Sequence, residues 1–214
     1  MLVRNLEEQN SIANQFLLEL RSADIQKERL RFRHNLSRLG EIMAYEISKE
    51  LIYQPTEVIT SLGKKTMQTS SSGVVLITMM RAGLPFLGGF QRIFDRADTG
   101  FIGSYRVEGN SEINIQTDYL AVPSLTGKTV ILLDPMLATG QSVAKALASL
   151  VGKGEPKQIH FACVIAAPEG IKYLKKNIKQ PTSLWTFSID EKLNSNFYIV
   201  PGLGDAGDLS FGAK

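Results

Sequence analysis

The chain has 214 residues, is 43% hydrophobic and carries a formal charge of +3 from 24 basic and 21 acidic residues. This length suits one compact core, so we expect a single domain over residues 1–214, and the small charge excess does not indicate nucleic-acid binding. No apolar run approaches the ~18 residues of a membrane span, and no signal-peptide pattern opens the chain. A lone Cys163 excludes disulfide pairing within the chain and favours a reducing, cytoplasmic location.

The first predicted element in chain order is a helix from about Asp24 to Leu51. Leu36, Leu39, Met43 and Ile47 recur every three or four residues along it and form an apolar stripe. The stripe should pack against another surface, and it favours a role in subunit contact. Residues 52–72 contain Pro55, Gly63 and three serines, which predicts loops around short extended pieces.

From residue 74 onward, strand-like runs alternate with helical patterns, which predicts an α/β fold with a central, mostly parallel sheet flanked by helices. Residues 107–122 break the alternation: they are polar and read as a projecting hairpin or flap. The predicted strands are Val74–Thr78, Thr99–Tyr105, Thr129–Leu133, Ile159–Ile165 and Thr182–Phe187, and the predicted helices are Leu84–Ile93, Val143–Leu150 and Gly170–Lys176.

The segment VILLDPMLATGQS, residues 130–142, joins a buried strand to one acid and then to a turn of small residues that opens a helix. In open α/β sheets ligands bind at the carboxyl ends of the strands, which is where Asp134 lies. Small residues at 138–142 let backbone N–H groups approach an oxyanion, and Asp134 can accept hydrogen bonds from sugar hydroxyls. The pattern favours a phosphorylated sugar. An ordinary turn with a Thr or Ser helix cap is the alternative.

Two arginines follow other strands of the same sheet. Arg81 precedes Ala82 and Gly83 directly after the strand that starts at Val74, and Arg106 ends the strand that contains Tyr105. A guanidinium beside a sterically free backbone suits a diphosphate, because its planar fork of donors can chelate phosphate oxygens. Taken separately, an arginine in such a position is usually a plain surface charge, and it is the convergence of Arg81 with Arg106 that favours the phosphate role.

The C-terminal run YIVPGLGDAGDLSFG, residues 198–212, combines four glycines and two acids with several apolar side chains. Such composition predicts a structured loop that binds with its main chain, although a glycine-rich tail that only packs would look similar. A flat pyrimidine presents donors and acceptors along one edge, and backbone N–H and C=O groups can read that edge without a charged residue.

These motifs together resemble the type I phosphoribosyltransferases, and VILLDPMLATGQS has the Asp-Pro form of the phosphoribosyl-diphosphate loop found in uracil phosphoribosyltransferases. Pro135 stands where most relatives carry a second acid, and Gln141 stands where the family usually has glycine. The C-terminal run resembles the family's uracil-binding signature. The same similarity extends through AAPEG at 166–170 and SID at 188–190 and, more loosely, through RFR at 31–33 and AYE at 44–46, whereas residues 52–72 and 107–122 match poorly.

The resemblance implies a type I phosphoribosyltransferase fold with an N-terminal helix, a β-arm flap and a C-terminal base-binding hood. The implied reaction transfers the 5-phosphoribosyl group from phosphoribosyl diphosphate to N1 of uracil, giving UMP and diphosphate, with catalytic roles for Arg81, Arg106 and Asp205. The implied contacts to phosphoribosyl diphosphate are Arg81, Arg106, Asp134, Pro135, Met136, Leu137, Ala138, Thr139, Gly140, Gln141, Ser142 and Asp205, and those to uracil are Ile199, Gly204, Asp205 and Ala206.

Implied partners are Mg²⁺ carried by the diphosphate, with no protein metal site, and further copies of the chain in a homodimer or larger assembly. Neither membrane nor nucleic acid is expected as a partner, and neither His34 nor His160 is expected to act as a general base. Three alternatives stay open on the same fold. They are an RNA-binding pyrimidine regulator, a sister transferase for another base, and an inactive ligand-binding paralogue.

Overall fold

The computed structural model describes residues 1–107 and 114–213, with only the backbone described for 104–107 and 114–118. Its helices are α1 (Ala13–Arg21), α2 (Arg29–Ser48), α3 (Gly83–Ile93), α4 (Gln141–Ser149), α5 (Pro168–Asn177) and α6 (Ala206–Phe211), with a short 3₁₀ turn at Leu6–Glu8. Its strands are β1 (Leu2–Asn5), β2 (Tyr53–Thr60), β3 (Gly63–Ser70), β4 (Val74–Met80), β5 (Asp98–Val107), β6 (Asn114–Ala121), β7 (Thr129–Leu133), β8 (Met136–Leu137), β9 (Gln158–Ala166), β10 (Thr182–Ile189), β11 (Lys192–Leu193) and β12 (Ile199–Val200).

A central sheet runs in the order β1-β10-β9-β7-β4-β5-β6, with β8 added beside β9. Along this order, every neighbouring pair from β1 through β10, β9, β7 and β4 to β5 is parallel. The last strand, β6, is antiparallel to β5. The fold class predicted from the sequence is therefore confirmed. Because the strands from β1 to β5 point the same way, the loops that follow β4, β7 and β10 all leave from one edge of the sheet.

The inner strands are buried on both faces, which explains their unbroken apolar sequences. Every residue of β7 is buried, and all of β4 is buried except its last residue. Alternate side chains point to opposite faces of the sheet and belong to two apolar clusters. Leu76 and Ile131 pack with α1, α2 and α3 on one face, whereas Val75 and Val130 pack with α4 and α5 on the other. The two layers of helices hold the sheet rigid beneath its carboxyl edge.

The predicted N-terminal helix is shorter than expected and does not present a free apolar face. Helix α2 begins at Arg29, and a separate helix, α1, precedes it. The stripe of Leu36, Leu39, Met43 and Ile47 has no exposed surface, because it packs within the chain's own core. A Cβ at Gly40 would lie 2.4 Å from the carbonyl oxygen of Phe86, so α2 and α3 touch backbone to backbone. The interpretation of this stripe as a subunit contact is wrong.

Residues 53–70, here called the arm, are also different from the prediction. Strands β2 and β3 pair along their whole length as one antiparallel hairpin, where loops around short extended pieces were expected. All residues of both strands are exposed. Since neither face packs on the body of the chain, the arm has no hydrophobic alternation from which a sequence pattern could reveal its strands.

The predicted flap at 107–122 is in part the antiparallel pair β5 and β6, whose register shifts between Gly103 and Ser104. Residues 108–113 of that prediction lie outside the described residues. Within the described residues, no helix is both long enough and apolar enough to cross a bilayer.

Candidate active site

The loop after β4 packs against the end of β7. A Cβ at Gly83 would lie 2.3 Å from Thr78 Oγ1 and 3.0 Å from the carbonyl oxygen of Leu133. Only glycine fits so close an approach, and Leu133 directly precedes Asp134. The Arg81 loop and the Asp134 loop are therefore neighbours at the carboxyl edge of the sheet.

Arg81 connects this edge to the C-terminal segment. Its Nη2 donates to Asp208 Oδ1 at 3.0 Å and to the carbonyl oxygen of Gly212 at 3.3 Å, and its side chain is 37% exposed. Its Nε is buried, and no described atom accepts a hydrogen bond from it. A buried donor without an acceptor is costly, and an anionic ligand with several oxygen atoms would satisfy it.

Asp134 is a half-buried carboxyl at the end of β7. Burial raises its pKa to about 7, and the hydrogen bond that it accepts from the backbone N–H of Met136 only partly opposes that shift. The side chain is thus poised between its neutral and ionised forms near neutral pH. A polar ligand that donates hydrogen bonds to this carboxylate would favour the ionised form.

Pro135 and Leu137 contribute structure rather than side-chain contacts. Both are buried, and the carbonyl oxygen of Pro135 accepts from the backbone N–H groups of Val164 and Ile165 at 2.9 and 3.1 Å. Met136 and Leu137 form β8 beside β9. This extra strand anchors the loop, so any contact from Pro135 or Leu137 to a ligand would come from the main chain.

The turn at 138–142 ends at the N-terminus of α4. Gly140 has φ 78° and precedes the first residue of α4, and Thr139 Oγ1 accepts a hydrogen bond from the N–H of Gln141 at 3.4 Å. A Cβ at Gly170 would lie 2.2 Å from the carbonyl oxygen of Ala138, so α5 supports the turn from behind. The first N–H groups of an α-helix lack partners within the helix, which makes this terminus suitable for an anion.

Residues 199–212, here called the hood, form the other side of the site. Asp205 precedes α6, and its Oδ1 accepts from the N–H groups of Gly207 and Asp208 at 2.8 and 3.0 Å. Gly204 and Asp205 are exposed, whereas Ile199 and Ala206 are buried. The hood therefore offers main chain and the fixed carboxylate of Asp205 to a ligand, with apolar side chains below.

The structure thus brings the Arg81 loop, the Asp134 loop and the hood together. Arg106 lies in β5 opposite Ile115, and its side chain falls outside the described residues. His160 is buried, and its Nδ1 accepts from Trp185 Nε1 at 3.1 Å, so it serves as a structural group. Among the described residues, no group of three or more His, Cys, Asp or Glu side chains could hold a metal.

Sequence reasoning missed the residues that support the hood. Asp208 pairs with Arg81, Arg33 Nη1 donates to the carbonyl oxygen of Ser210 at 2.7 Å, and Arg21 pairs with Asp190. The only signals were the family matches at RFR, which is loose, and at SID; they contain Arg33 and Asp190. The partners are separated by more than 100 residues in the chain, so no local pattern could pair them.

Comparison with solved structures shows which fold the chain has. A hypoxanthine phosphoribosyltransferase from Staphylococcus aureus aligns with a TM-score of 0.50 and 12% identity over 75% of this chain and 76% of that one, which shows the phosphoribosyltransferase fold. Protein AQ2163 from Aquifex aeolicus aligns with a TM-score of 0.90 and 32% identity over 100% of this chain and 99% of that one.

Comparison of the sequence with known proteins shows the family. The model of the uracil phosphoribosyltransferase family matches residues 8–213. A uracil phosphoribosyltransferase from Porphyromonas gingivalis is 43% identical over all of both chains, and one from Pyrococcus furiosus is 36% identical over 92% of this chain and 85% of that one. The chain belongs to the uracil phosphoribosyltransferase family, which confirms the resemblance seen in its motifs.

Proposed function

We propose that this chain transfers the 5-phosphoribosyl group of phosphoribosyl diphosphate to N1 of uracil, giving UMP and diphosphate in pyrimidine salvage. One contact carries the proposal: Arg81, in the loop suited to a diphosphate, reaches Asp208 in the hood suited to a pyrimidine. The two halves of the site thus share a boundary. The free, buried thiol of Cys163 supports a reducing location such as the cytoplasm.

The leaving diphosphate would be bound by Arg81 and Arg106. Arg81 has a buried Nε that needs an acceptor, and its fork of donors matches the oxygen atoms of a phosphate. Negative charge builds on the leaving group as the C1–O bond breaks, so a fixed guanidinium stabilises the transition state more than the ground state. Arg106 ends the neighbouring part of the same sheet and is proposed from its position in β5 alone.

The ribose phosphate would lie across the Asp134 loop and the start of α4. The Asp134 carboxylate would accept hydrogen bonds from the ribose hydroxyls, and the turn from Ala138 to Ser142 would bind the 5′-phosphate with its backbone N–H groups. Ligand hydroxyls replace the water that burial removes, and they would therefore shift Asp134 toward its ionised form.

Uracil would be read by the hood. The base is uncharged, so recognition falls to backbone groups near Ile199 and from Gly204 to Ala206, with Asp205 beside the ribose. Both hydrogen bonds that hold the Asp205 carboxylate go to Oδ1, and they come from the chain immediately after it. Its orientation is thus fixed before any substrate arrives.

The residues present fit Mg²⁺ bound through the diphosphate. Mg²⁺ prefers phosphate oxygens and water to an all-protein cage, and the site offers the separate carboxylates of Asp134 and Asp205. When bound, the ion neutralises part of the charge on the diphosphate. Asp134 and Asp205 are the residues that we expect near it.

Positioning does most of the catalytic work in this proposal. Glycosyl transfer with inversion passes through a cation at C1, and holding both substrates in line contributes up to ~7–11 kcal/mol without covalent help from the protein. Strands β5 and β6 pair at the margin of the sheet, next to β4 and its Arg81 loop. This pair would limit access of water to that cation.

The direct test is UMP formation from uracil and phosphoribosyl diphosphate, with and without Mg²⁺. We expect turnover with uracil, loss of turnover on chelation, and little or no turnover with orotate or hypoxanthine in parallel assays. A protein that binds phosphoribosyl diphosphate but forms no UMP would instead be the inactive paralogue. Salt-sensitive RNA binding without turnover would favour the regulator.

The arm supports our further proposal that the chain forms a homodimer or larger assembly. An isolated two-stranded hairpin is marginally stable in water, and every residue of β2 and β3 is exposed. Large apolar side chains on the arm, Val58, Ile59, Leu62 and Met67, are 40%, 75%, 97% and 53% exposed. A second copy that covers them would stabilise the arm.

Light scattering tests this assembly. We expect more than one copy per particle for the wild type and dissociation for Ile59→Asp with Leu62→Asp. Lys64→Gln, on the same arm, is the matched control and should leave the assembly intact. A monomeric wild type would contradict the proposal.

A further inference from the structure

A buried ion pair behind the hood is not used by the reaction. Asp190 follows β10 and is 7% exposed, and its carboxylate accepts from both Nη atoms of Arg21, from the N–H of Gly202 at 2.8 Å and from Ser188 Oγ at 3.2 Å. Four donors satisfy the carboxylate entirely within the chain. Asp190 is thus available to hold the protein together rather than to contact substrate.

The pair binds both polar backbone groups of Gly202. The N–H of Gly202 donates to Asp190 Oδ2, and its carbonyl oxygen accepts from Arg21 Nη1 at 2.9 Å. Gly202 has φ 65°, and a Cβ there would lie 2.2 Å from the carbonyl oxygen of Ile199. The turn is therefore both tight and fixed from outside. It lies between Ile199 and Gly204, both of which are proposed to contact uracil.

A second contact from the same region holds the next residue. With its side-chain amide oriented to satisfy its neighbours, Gln26 donates to the carbonyl oxygens of Leu20 at 3.1 Å and Leu203 at 2.8 Å. Arg21 ends α1, and Gln26 lies in the connection from α1 to α2. The N-terminal region thus supports the part of the hood that precedes Asp205.

We propose that Arg21 and Asp190 are positioning residues for the base site, which fix Gly202 and so set the position of the uracil-reading main chain. This inference rests on the proposed function. Removal of one partner from a buried pair leaves an unpaired charge, and the surrounding turn must move to solvate it. The phosphoribosyl half, which is built on β4 and β7, makes no described contact with the pair.

The chain provides a matched control on the same helix. Glu19, also 7% exposed, accepts from Arg31 Nε and Nη2 at 2.8 and 2.6 Å and from Asn35 Nδ2 at 2.6 Å. This pair is also bidentate, although the Arg31 side chain is 52% exposed against 22% for Arg21, and its partners lie in α2 rather than in the hood. Its loss should cost stability without moving the base site.

Steady-state kinetics of Asp190→Asn and Glu19→Gln test the inference. In Asp190→Asn, the new amide directs N–H groups at Arg21, so we expect the KM for uracil to rise tenfold or more. The KM for phosphoribosyl diphosphate should change less than threefold. Glu19→Gln should leave both constants within threefold of the wild type while lowering the melting temperature.

Arg21→Lys and the double variant Arg21→Met with Asp190→Leu separate positioning from folding. Arg21→Lys keeps the positive charge but loses the two Nη donors of the guanidinium. It should therefore show a smaller rise in the KM for uracil than Asp190→Asn. It also provides the test if Asp190→Asn does not fold. The double variant removes both charges and should regain thermal stability without regaining uracil affinity.

Equal changes in both KM values, or a uracil KM in Asp190→Asn that matches Glu19→Gln, would overturn the inference. A wild type that forms no UMP would overturn the proposed function and the inference with it. An active wild type whose variants keep the normal uracil KM would overturn the inference alone.

Discussion

The two halves of the site are held by different means. The phosphoribosyl half stands on β4 and β7, whose apolar side chains are buried on both faces of the sheet. The hood contains only short elements and is held by polar side chains, among them Arg21, Arg33 and Arg81. Packing spreads over many residues, whereas each of these polar contacts depends on a single side chain.

This difference indicates that the two functions of the site tolerate change unequally. Single substitutions beneath the phosphoribosyl half should lower the free energy of unfolding without moving the site loops, because many buried contacts of the sheet fix the positions of those loops. Single substitutions around the hood should alter geometry, and hence base recognition, at small cost in stability. Four predictions test this comparison.

The largest effect is expected for Arg81→Ala, because Arg81 belongs to both halves. Loss of a fixed group that stabilises developing charge costs about 100- to 1000-fold in turnover. We expect a fall in kcat of that size with an unchanged circular dichroism spectrum. Arg92→Ala is the control, since Arg92 pairs with Glu41 near the far end of α3 and should retain wild-type turnover. Similar rates for Arg81→Ala and Arg92→Ala would remove Arg81 from the site.

A smaller effect is expected for Asp205→Asn, which separates the charge of Asp205 from its role at the start of α6. Asparagine caps a helix about as well as aspartate, so the melting temperature should change little. Turnover should fall by about tenfold or more, because a charge beside the reacting carbon is lost. Asp205→Ala should lose about 1 kcal/mol of stability as well. Full activity in Asp205→Asn would limit Asp205 to capping.

The third prediction concerns Asp134 and pH. Its pKa is raised by burial to about 7 in the folded chain, above its ordinary value of 3.8, so the folded state binds the proton more tightly. The stability contributed by the protonated form is complete below pH 4 and is lost as the pH rises through 7. Asparagine does not ionise, so Asp134→Asn does not lose this stability. Its free energy of unfolding should exceed that of the wild type by at least about 1 kcal/mol at pH 8. Urea unfolding at pH 5 and pH 8 measures the difference, and an equal pH dependence in both proteins would contradict it.

The smallest effect is expected for Gln141→Gly, although the family usually has glycine there. The left-handed backbone falls on Gly140, and Gln141 is already the first helical residue of α4, so a side chain is tolerated. Glycine in a helix costs at most about 1 kcal/mol. The KM for phosphoribosyl diphosphate should stay within about threefold of the wild type. A tenfold decrease would show that the Gln141 side chain obstructs the phosphate.

The sequence was most informative for strands that are buried on both faces of the sheet. Strands such as β4 and β7 are recognisable because their apolar runs are short and bounded by turn residues, and the glycine turns at 83 and 140 are recognisable from their neighbours. The hood was identified through its family signature rather than through periodicity.

Two kinds of feature could not be predicted. The arm gives no hydrophobic alternation because both of its faces are exposed, and its strands were therefore interpreted as loops. The apolar stripe of α2 was visible, but a single sequence does not say whether its partner is α3 or another subunit. Pairs such as Arg21 with Asp190 join residues 169 positions apart, and only the fold brings them together.

The contact between Arg81 and the carbonyl oxygen of Gly212 has a practical consequence for labelling the protein. A peptide tag or fluorophore joined after Gly212 would leave the chain beside the proposed diphosphate subsite, where it would compete with substrate. One joined before Leu2 would leave from the amino end of β1, at the opposite edge of the sheet. Fusion partners and solid supports should therefore be attached on the side of β1.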